Sequence, residues 1–494
     1  MNTSLRRVSM TVMVLIVLLL LNATFTQVFR ADGLRTDPRN QRVLLDEYSR
    51  QRGQISASGQ LLAYSVSTPG SRFRFRRDYP APLIYAPITG FYSLLYSSSG
   101  LERAEDSILN GSDARLFGRR LADFFTGRDP RGGNVDTTIN PRVQQAAWDA
   151  MARGCSGGPC PGAVVALEPS TGKILAMVST PSYDPNTLAS QDMQAEALAW
   201  DALLHDPDNP MQNRAISERY PPGSTFKVIT TAAALQSGLT ENEPVTAAPT
   251  IKLPDSSNVL RNYNGMTCPG GGETVPLRVA FAYSCNTAFV QLGMKIGTEA
   301  LRDAAVGFGL DMQLDPIPLQ VTESTVGPIP DKAALGMSSM GQKDVALTPL
   351  QNAMVAAAIA NKGVLMQPHL VEGEKGPDLA TLSTTRPREL RRAVSEQVAA
   401  KLTELMIAAE QYAQQKGKIP GVQIASKTGT AEHGTNPQNT HPHAWYIAFA
   451  PASAPKVAVA VIVEGGGNLN DATGGGLAAP VGRAAIEAAL QGGS

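Results

Sequence analysis

The sequence predicts a mixed α/β protein: a buried sheet flanked by helices, with a helical block inserted between its strands. A small β-rich module and one membrane-length helix precede it. Three observations carry this expectation. Residues 163–167 and 174–178 early in the chain, and 444–449 and 457–463 late in it, are apolar runs of strand length. Helix-like segments fill the interval between them. Residues 8–29 are uncharged and long enough to cross a bilayer.

Arg6 and Arg7 precede that first run, which centres on the apolar stretch from Val14 to Leu21. As a helix it would span about 33 Å, roughly one bilayer core. Basic residues on its near side only predict a cytoplasmic tail over 1–7, an anchor over 8–29 and an extracytoplasmic remainder, so a single-pass protein of the cell membrane. A cleaved signal peptide is the rival reading. Asn22-Ala23-Thr24-Phe25 is a poor small-x-small cleavage site, which favours an uncleaved anchor. Lys+Arg and Asp+Glu each number 43, so the formal net charge is zero and nothing supports a nucleic-acid partner.

The four cysteines fit the outer side of a membrane. Cys155 and Cys160 flank Ser-Gly-Gly-Pro, a turn able to close a small disulfide loop, and Cys268 and Cys285 are the second candidate pair. A four-cysteine zinc site competes, but neither pair has the usual knuckle spacing, so no metal is expected. Free thiols stay open for the second pair.

Residues 30–133 read as short strands and loops, with alternation at 61–66 and 73–75 punctuated by Pro80, Pro82, Pro87 and Gly90. They suffice for a small non-catalytic module, closed by a Gly/Arg/Pro-rich linker at 127–133. The main domain is expected over 134–494. Within it, 143–151 is helix-like, and 163–167, the Ser170-Thr171-Gly172 turn and 174–178 read as a hairpin. Helices follow at 226–236, at 351–360 before Asn361-Lys362-Gly363, and at 477–490.

Chemistry concentrates in three short motifs. Ser224-Thr225-Phe226-Lys227 starts a helix, and the i, i+3 spacing puts the Lys227 amine beside the Ser224 hydroxyl. A serine needs a neighbouring base to become a nucleophile, and a lysine serves only when burial or a nearby cation keeps it neutral. Alone the motif is weak, and Ser170-Thr171-Gly172-Lys173 matches it within a hairpin turn where the side chains need not converge. Ser284-Cys285-Asn286 and Lys427-Thr428-Gly429-Thr430, the latter after a strand-like 422–425, complete the order S-x-x-K, S-x-N, K-T-G. Ser256-Ser257-Asn258 is a second S-x-N match in a polar loop; the apolar, helix-like setting of 283–292 suits Ser284 better. His433, His441 and His443 fall in a Gly/Asn/Pro-rich loop after Thr430, read as a polar rim rather than a metal site.

With its flanks, the nucleophile motif resembles that of class B penicillin-binding proteins: Asn213-Arg214-Ala215-Ile216, then Tyr220-Pro221-Pro222-Gly223 before Ser224. Gly341-Gln342, the 346–351 segment, 360–363 and 445–451 are similar to the family's later elements, and 136–140 to its domain start. The resemblance covers about residues 134–494 and is strongest to the actinobacterial subgroup A. Upstream, Arg52-Gly53-Gln54-Ile55 resembles the family's opening Arg-Gly, but Ser56-Ala57-Ser58-Gly59 replaces the Asp-Arg that usually follows. That departure leaves the structure of the pedestal module open.

The resemblance implies a serine penicillin-recognising transpeptidase fold that exchanges peptide bonds on peptidoglycan stem peptides ending in D-Ala-D-Ala, in growth or division. Ser224 would be the nucleophile, Lys227 its base, and Ser284, Asn286 and Lys427 the proton-handling and orienting groups. Thr428, Gly429 and Thr430 would bind substrate, with the Ser224 and Thr430 backbone N–H groups as the oxyanion hole. It implies no cofactor, covalent inhibition by β-lactams, and partners in the membrane and in the division or elongation machinery. A β-lactamase would share the motifs, but no Glu-x-x-Leu-Asn lies between Ser284 and Lys427. A carboxypeptidase, a bifunctional enzyme and a non-catalytic receptor are rivals. The class B flanks weigh against the first, and about 100 residues are too few for a glycosyltransferase in the second. Only seven residues precede the anchor, which weighs against a signalling domain in the third.

Overall fold

The computed structural model describes residues 2–30, 48–71, 73–118, 125–126, 131–155, 158–254, 257–270, 272–412, 419–433, 440–465 and 473–491. Helix α1 (Asn2–Thr24) runs into a π-helical turn, Phe25–Phe29. Its apolar stretch Leu5–Val28 is membrane-length and is not buried against the rest of the protein.

The core is a five-stranded antiparallel sheet of β1 (Gly162–Leu167), β2 (Ile174–Thr180), β3 (Ala425–Ala431), β4 (His443–Ala450) and β5 (Val457–Val463), in the order β3-β4-β5-β1-β2. Every residue of β4 and β5 is buried, because helices cover both faces, and this is why their sequences read as unbroken apolar runs. On one face lie α2 (Pro141–Arg153) and the C-terminal helix, with Val143, Ala147, Val481 and Ile486 against Val459 and Val461. The helical block supplies α3 (Lys227–Gln236) and α4 (Asn286–Gly307), packed on each other. Helix α5 (Pro349–Ala360) covers the second face, and its alanines allow close approach to β5 and β1. Thr348 caps its first turn through Gln351 N at 3.1 Å, with Pro349 where no amide is needed. Helix α6 (Glu396–Tyr412) backs β3, and α7 (Ala479–Gln491) is the C-terminal helix named above.

A second sheet, six-stranded, joins chain segments far apart in sequence. Its order is Thr381–Thr384, Val371–Lys375, Asn134–Thr137, Ile55–Ala57, Gln60–Ser67, Phe75–Asp78. A hairpin from beyond α5 therefore completes the sheet begun by residues 55–78. The Arg52-Gly53 pair has a structural reason here. Arg52 and the buried Arg77 both clasp Glu102, each at 2.6 Å, and a Cβ on Gly53 would fall 1.6 Å from Gly133 O. Residues 127–130 of the expected linker lie outside the described residues.

Local readings differ in two places. Pro82, read as loop punctuation, instead opens the helix Pro82–Thr89, in the first turn where a missing N–H costs nothing, and Pro87 lies inside that helix. The strand expected at 422–425 begins only at Ala425 and runs through the Lys427–Thr430 motif itself.

Candidate active site

Ser224 sits where the chain passes into a helix. Gly223–Phe226 form a 3-10 turn that continues into α3, so Lys227 opens the helix one turn after a half-buried serine. Space at this turn is set by two glycines with positive φ. Gly223 (φ +53°) would bring a Cβ to 2.6 Å from Thr430 O, and Gly341 (φ +78°) would bring one to 2.1 Å from Gly223 O. The Ser224 turn is thus wedged between β3 and the turn at Gly341. Gly223 N donates to Gly341 O at 2.9 Å, Trp445 Nε1 to Pro221 O at 2.9 Å, and Asn352 Nδ2 to Thr225 Oγ1 at 3.1 Å.

Ser284 lies not within a helix but in the turn between Leu277–Ala282 and α4, at φ +60°. A serine held left-handed costs on the order of 1–2 kcal/mol. Cys285 N donates to Ala280 O at 2.9 Å, and a disulfide joins Cys285 to Cys268, Cα–Cα 5.7 Å, fixing the turn from both sides. A second disulfide joins Cys155 to Cys160, Cα–Cα 5.2 Å, far along the chain from the cleft motifs.

This turn aims its polar atoms at two buried lysines. Lys227 Nζ donates to Ser284 O and to Asn286 Oδ1, both at 2.7 Å, and lies 3.2 Å from Ser284 Oγ. Lys427 Nζ reaches the same Ser284 Oγ at 3.0 Å and donates to Thr428 O at 2.9 Å. The Ser224 hydroxyl is not among these partners: the acceptors of the 284–286 turn engage the Lys227 amine, although the helix places it one turn from Ser224. Burial pushes the Lys227 pKa well below its usual 10.5, with the Lys427 charge as a second cause, and burial alone pushes Lys427 to about 7. The rings of Phe289 and Phe281, 5.3 and 5.9 Å from the two amines, form part of that apolar surround.

Strand β3 is the edge of the central sheet and borders the cleft. The Thr430 carbonyl faces Gly223, and in a strand the N–H and C=O of one residue point to the same edge. The Thr430 N–H therefore points away from β4, toward the Ser224 turn. Thr428, Gly429 and Thr430 line a cleft of about 1370 Å³ together with Ser224, Ser284 and Asn286. All eight non-cysteine candidates are gathered here: six on the cleft wall, the two lysines buried beside Ser284.

The first decoy lies apart from the cleft. Lys173 pairs with Glu372 at 2.8 Å, away from the cleft, while Thr171 turns to Glu168. Ser256 lies outside the described residues; Asn258 lines the cleft rim. His433 and His443 stack at 3.8 Å, with burial pushing the His443 pKa down to about 3, and among the described residues no group of side chains could hold a metal. Sequence reasoning missed Gly474, which touches β3 and β4, and the facing phenols Tyr283 and Tyr412 on the cleft wall. The glycine run 474–476 was a signal for the first. Nothing local signalled the second, since Tyr283 and Tyr412 meet only through the fold.

Comparisons with known proteins agree with this geometry. Residues 162–487 match the family described as the penicillin binding protein transpeptidase domain, and 52–135 match the penicillin binding protein A dimerisation domain. The chain is 73% identical, over 492 residues and 100% of both chains, to the peptidoglycan D,D-transpeptidase PbpA of Mycobacterium tuberculosis H37Rv. It is 72% identical to PbpA of Mycolicibacterium smegmatis over 494 residues, again 100% of both chains. Among solved structures, the ceftriaxone acyl-enzyme of M. tuberculosis penicillin-binding protein A superposes with a TM-score of 0.89 at 72% identity, covering 90% of this chain and 100% of that one. Its penicillin G acyl-enzyme superposes with a TM-score of 0.87 at 71% identity, with the same coverage. With two buried lysines meeting on one serine beside a helix-start serine, and with these matches, the chain belongs to the penicillin-binding protein transpeptidase family.

Proposed function

We propose that this protein is a peptidoglycan D,D-transpeptidase that crosslinks stem peptides through an acyl-enzyme on Ser224 and is covalently inhibited by β-lactams. The observation that carries this reading is the meeting of Lys227 and Lys427 on Ser284 Oγ beside the Ser224 cleft. A neutral Lys227 has two N–H donors, which suit Ser284 O and Asn286 Oδ1, and one lone pair free to take a proton. Hydrogen bonds of this kind tighten when substrate arrives, so the Ser224 proton passes to Lys227 as Ser224 Oγ attacks the penultimate carbonyl. The Ser224 and Thr430 N–H groups receive the developing oxyanion, typically a few kcal/mol of stabilisation. Ser284 then passes a proton to the departing D-alanine amine, and Lys427 resupplies it. Thr428 and Thr430 hold the substrate carboxylate and Asn286 its amide. Gly429 keeps the strand free of a side chain where it meets Pro222 O, since any Cβ there would fall 2.9 Å from that oxygen. An amine from a second stem peptide resolves the ester.

Helix α1 anchors the enzyme in the cell membrane with its catalytic domain outside, residues 30–133 form a pedestal, and 134–494 the transpeptidase domain. The two disulfides fit an oxidising compartment. Partners belong to the division or elongation machinery. The test is intact mass of the full chain in mild detergent after benzylpenicillin, alongside Ser224→Ala. A stable adduct on the wild type that the variant lacks is expected. Rapid drug loss without an adduct means a β-lactamase, and neither adduct nor turnover overturns the acyltransferase reading.

A further inference from the structure

The cleft has an aromatic feature that the acylation chemistry does not use. Tyr283 and Tyr412 face each other with ring centroids 4.1 Å apart at 41°, and both line the cleft. They come from segments far apart in sequence. Tyr283 directly precedes Ser284, on the helical block, while Tyr412 is the last residue of α6, the helix that backs β3. Both are exposed, at 42% and 54%, so burial of the pair is not what holds it. A hydrogen bond between the phenols is the leading cause of a raised Tyr283 pKa. Two large aromatic groups kept at a cleft wall and still open to solvent present a flat, amphipathic surface to whatever enters.

The location says what enters. In the proposed mechanism Ser284 protonates the departing amine, so that amine leaves beside Ser284. Aminolysis is the reverse of that step with a different amine, and by microscopic reversibility the acceptor nitrogen must arrive at the place the first one left. Tyr283 is the neighbour of Ser284 in sequence, and Tyr412 is its ring partner. We propose that the Tyr283–Tyr412 pair is the wall of the acceptor subsite, which seats the amine-bearing peptide and limits water at the Ser224 ester. In the step it favours, the amine nitrogen forms a bond to the acyl carbon and gives its proton to Ser284, which passes one back to Lys427, while the bond from that carbon to Ser224 Oγ breaks and Ser224 Oγ recovers its proton from Lys227. The pair acts on the choice of nucleophile, not on formation of the ester.

This inference rests on the transpeptidase reading, and its test keeps the two apart. The full chain in mild detergent is acylated with a thioester analogue of an acyl-D-Ala donor, and products are counted with and without D-alanine as the acceptor amine. Wild type, Tyr412→Ala, Tyr412→Phe and Tyr283→Phe are compared by the ratio of aminolysis to hydrolysis product. Both products come from one acyl-enzyme, so any effect on acylation or on the fraction of folded protein cancels. Loss of one aromatic contact should lower the ratio about three- to tenfold in Tyr412→Ala. Tyr412→Phe should keep most of it, because ring surface rather than the phenol carries the seat. An unchanged ratio in Tyr412→Ala, with wild type transferring normally, overturns the acceptor wall. Hydrolysis alone in wild type at every D-alanine concentration overturns the transpeptidase reading beneath it.

Discussion

Replacing Lys427 by methionine should make the protein more stable, and more so at neutral than at alkaline pH. Lys427 is 1% exposed, and its pKa falls from the usual 10.5 in the unfolded chain to about 7 in the folded one. Between those values the unfolded state holds one more proton, so folding is opposed by the proton it must release and stability rises with pH. Below pH 7 the opposition is complete, about 5 kcal/mol at 1.36 kcal/mol per pH unit. The same relation leaves about 4 kcal/mol at pH 7.5 and about 1 kcal/mol at pH 9.5. Methionine has a similar length, needs no solvation and also removes the charge that depresses Lys227. It gives up the contacts to Ser284 Oγ at 3.0 Å and Thr428 O at 2.9 Å, each worth about 1 kcal/mol. The net gain should be about 2 kcal/mol at pH 7.5, vanish near pH 9 and leave the variant slightly the less stable at pH 9.5, with acylation by benzylpenicillin lost. Urea unfolding of wild type and Lys427→Met in mild detergent at both pH values measures it. A gain that does not change with pH, or a variant less stable at pH 7.5, refutes the assignment of that cost to the buried amine.

Two further outcomes follow from contacts around the motifs. Cys268→Ser opens a bridge of sequence separation 17, so unfolding free energy should fall by about 3 kcal/mol. Because that bridge holds the Ser284 turn, benzylpenicillin acylation should slow more in Cys268→Ser than in Cys155→Ser, as stopped-flow mass measurement can show. Glu410, 6% exposed, accepts from Arg483 at 2.7 and 2.9 Å, from Tyr446 Oη at 3.1 Å and from Ser426 next to Lys427. Glu410→Ala should cost about 3–5 kcal/mol by removing the carboxylate against which Arg483 is buried, whereas in Glu410→Met with Arg483→Met the remaining loss should be about 1–3 kcal/mol, from the Tyr446 and Ser426 hydroxyls that lose this acceptor, both read by urea midpoint.

The family and the three motifs that gather at the cleft were legible because their order and flanks are specific, and so were the strands buried on both faces, whose apolar runs leave little choice. What could not be read is non-local. Nothing near Asn134 says that it pairs with Val371–Lys375, nor does the i, i+3 spacing of Ser224 and Lys227 reveal that the amine turns to Ser284 and Asn286 instead. The left-handed serine at 284 was likewise hidden, since an apolar helical pattern on both sides masks a single turn residue. Pro82 misled for the opposite reason, since proline marks the start of a helix as well as a break.

The Ser224 turn is held from both sides of the cleft. Pro221 and Gly223 meet Trp445 and Thr430 on the sheet, while Gly223 N bonds Gly341 O on the helical side. The serine therefore works as a keystone, seated by opposing pressure rather than by one support. A molecule that pries the two sides apart at any point along the groove would loosen Ser224 without touching it. Inhibition of this enzyme is thus open to compounds that carry no reactive ring at all.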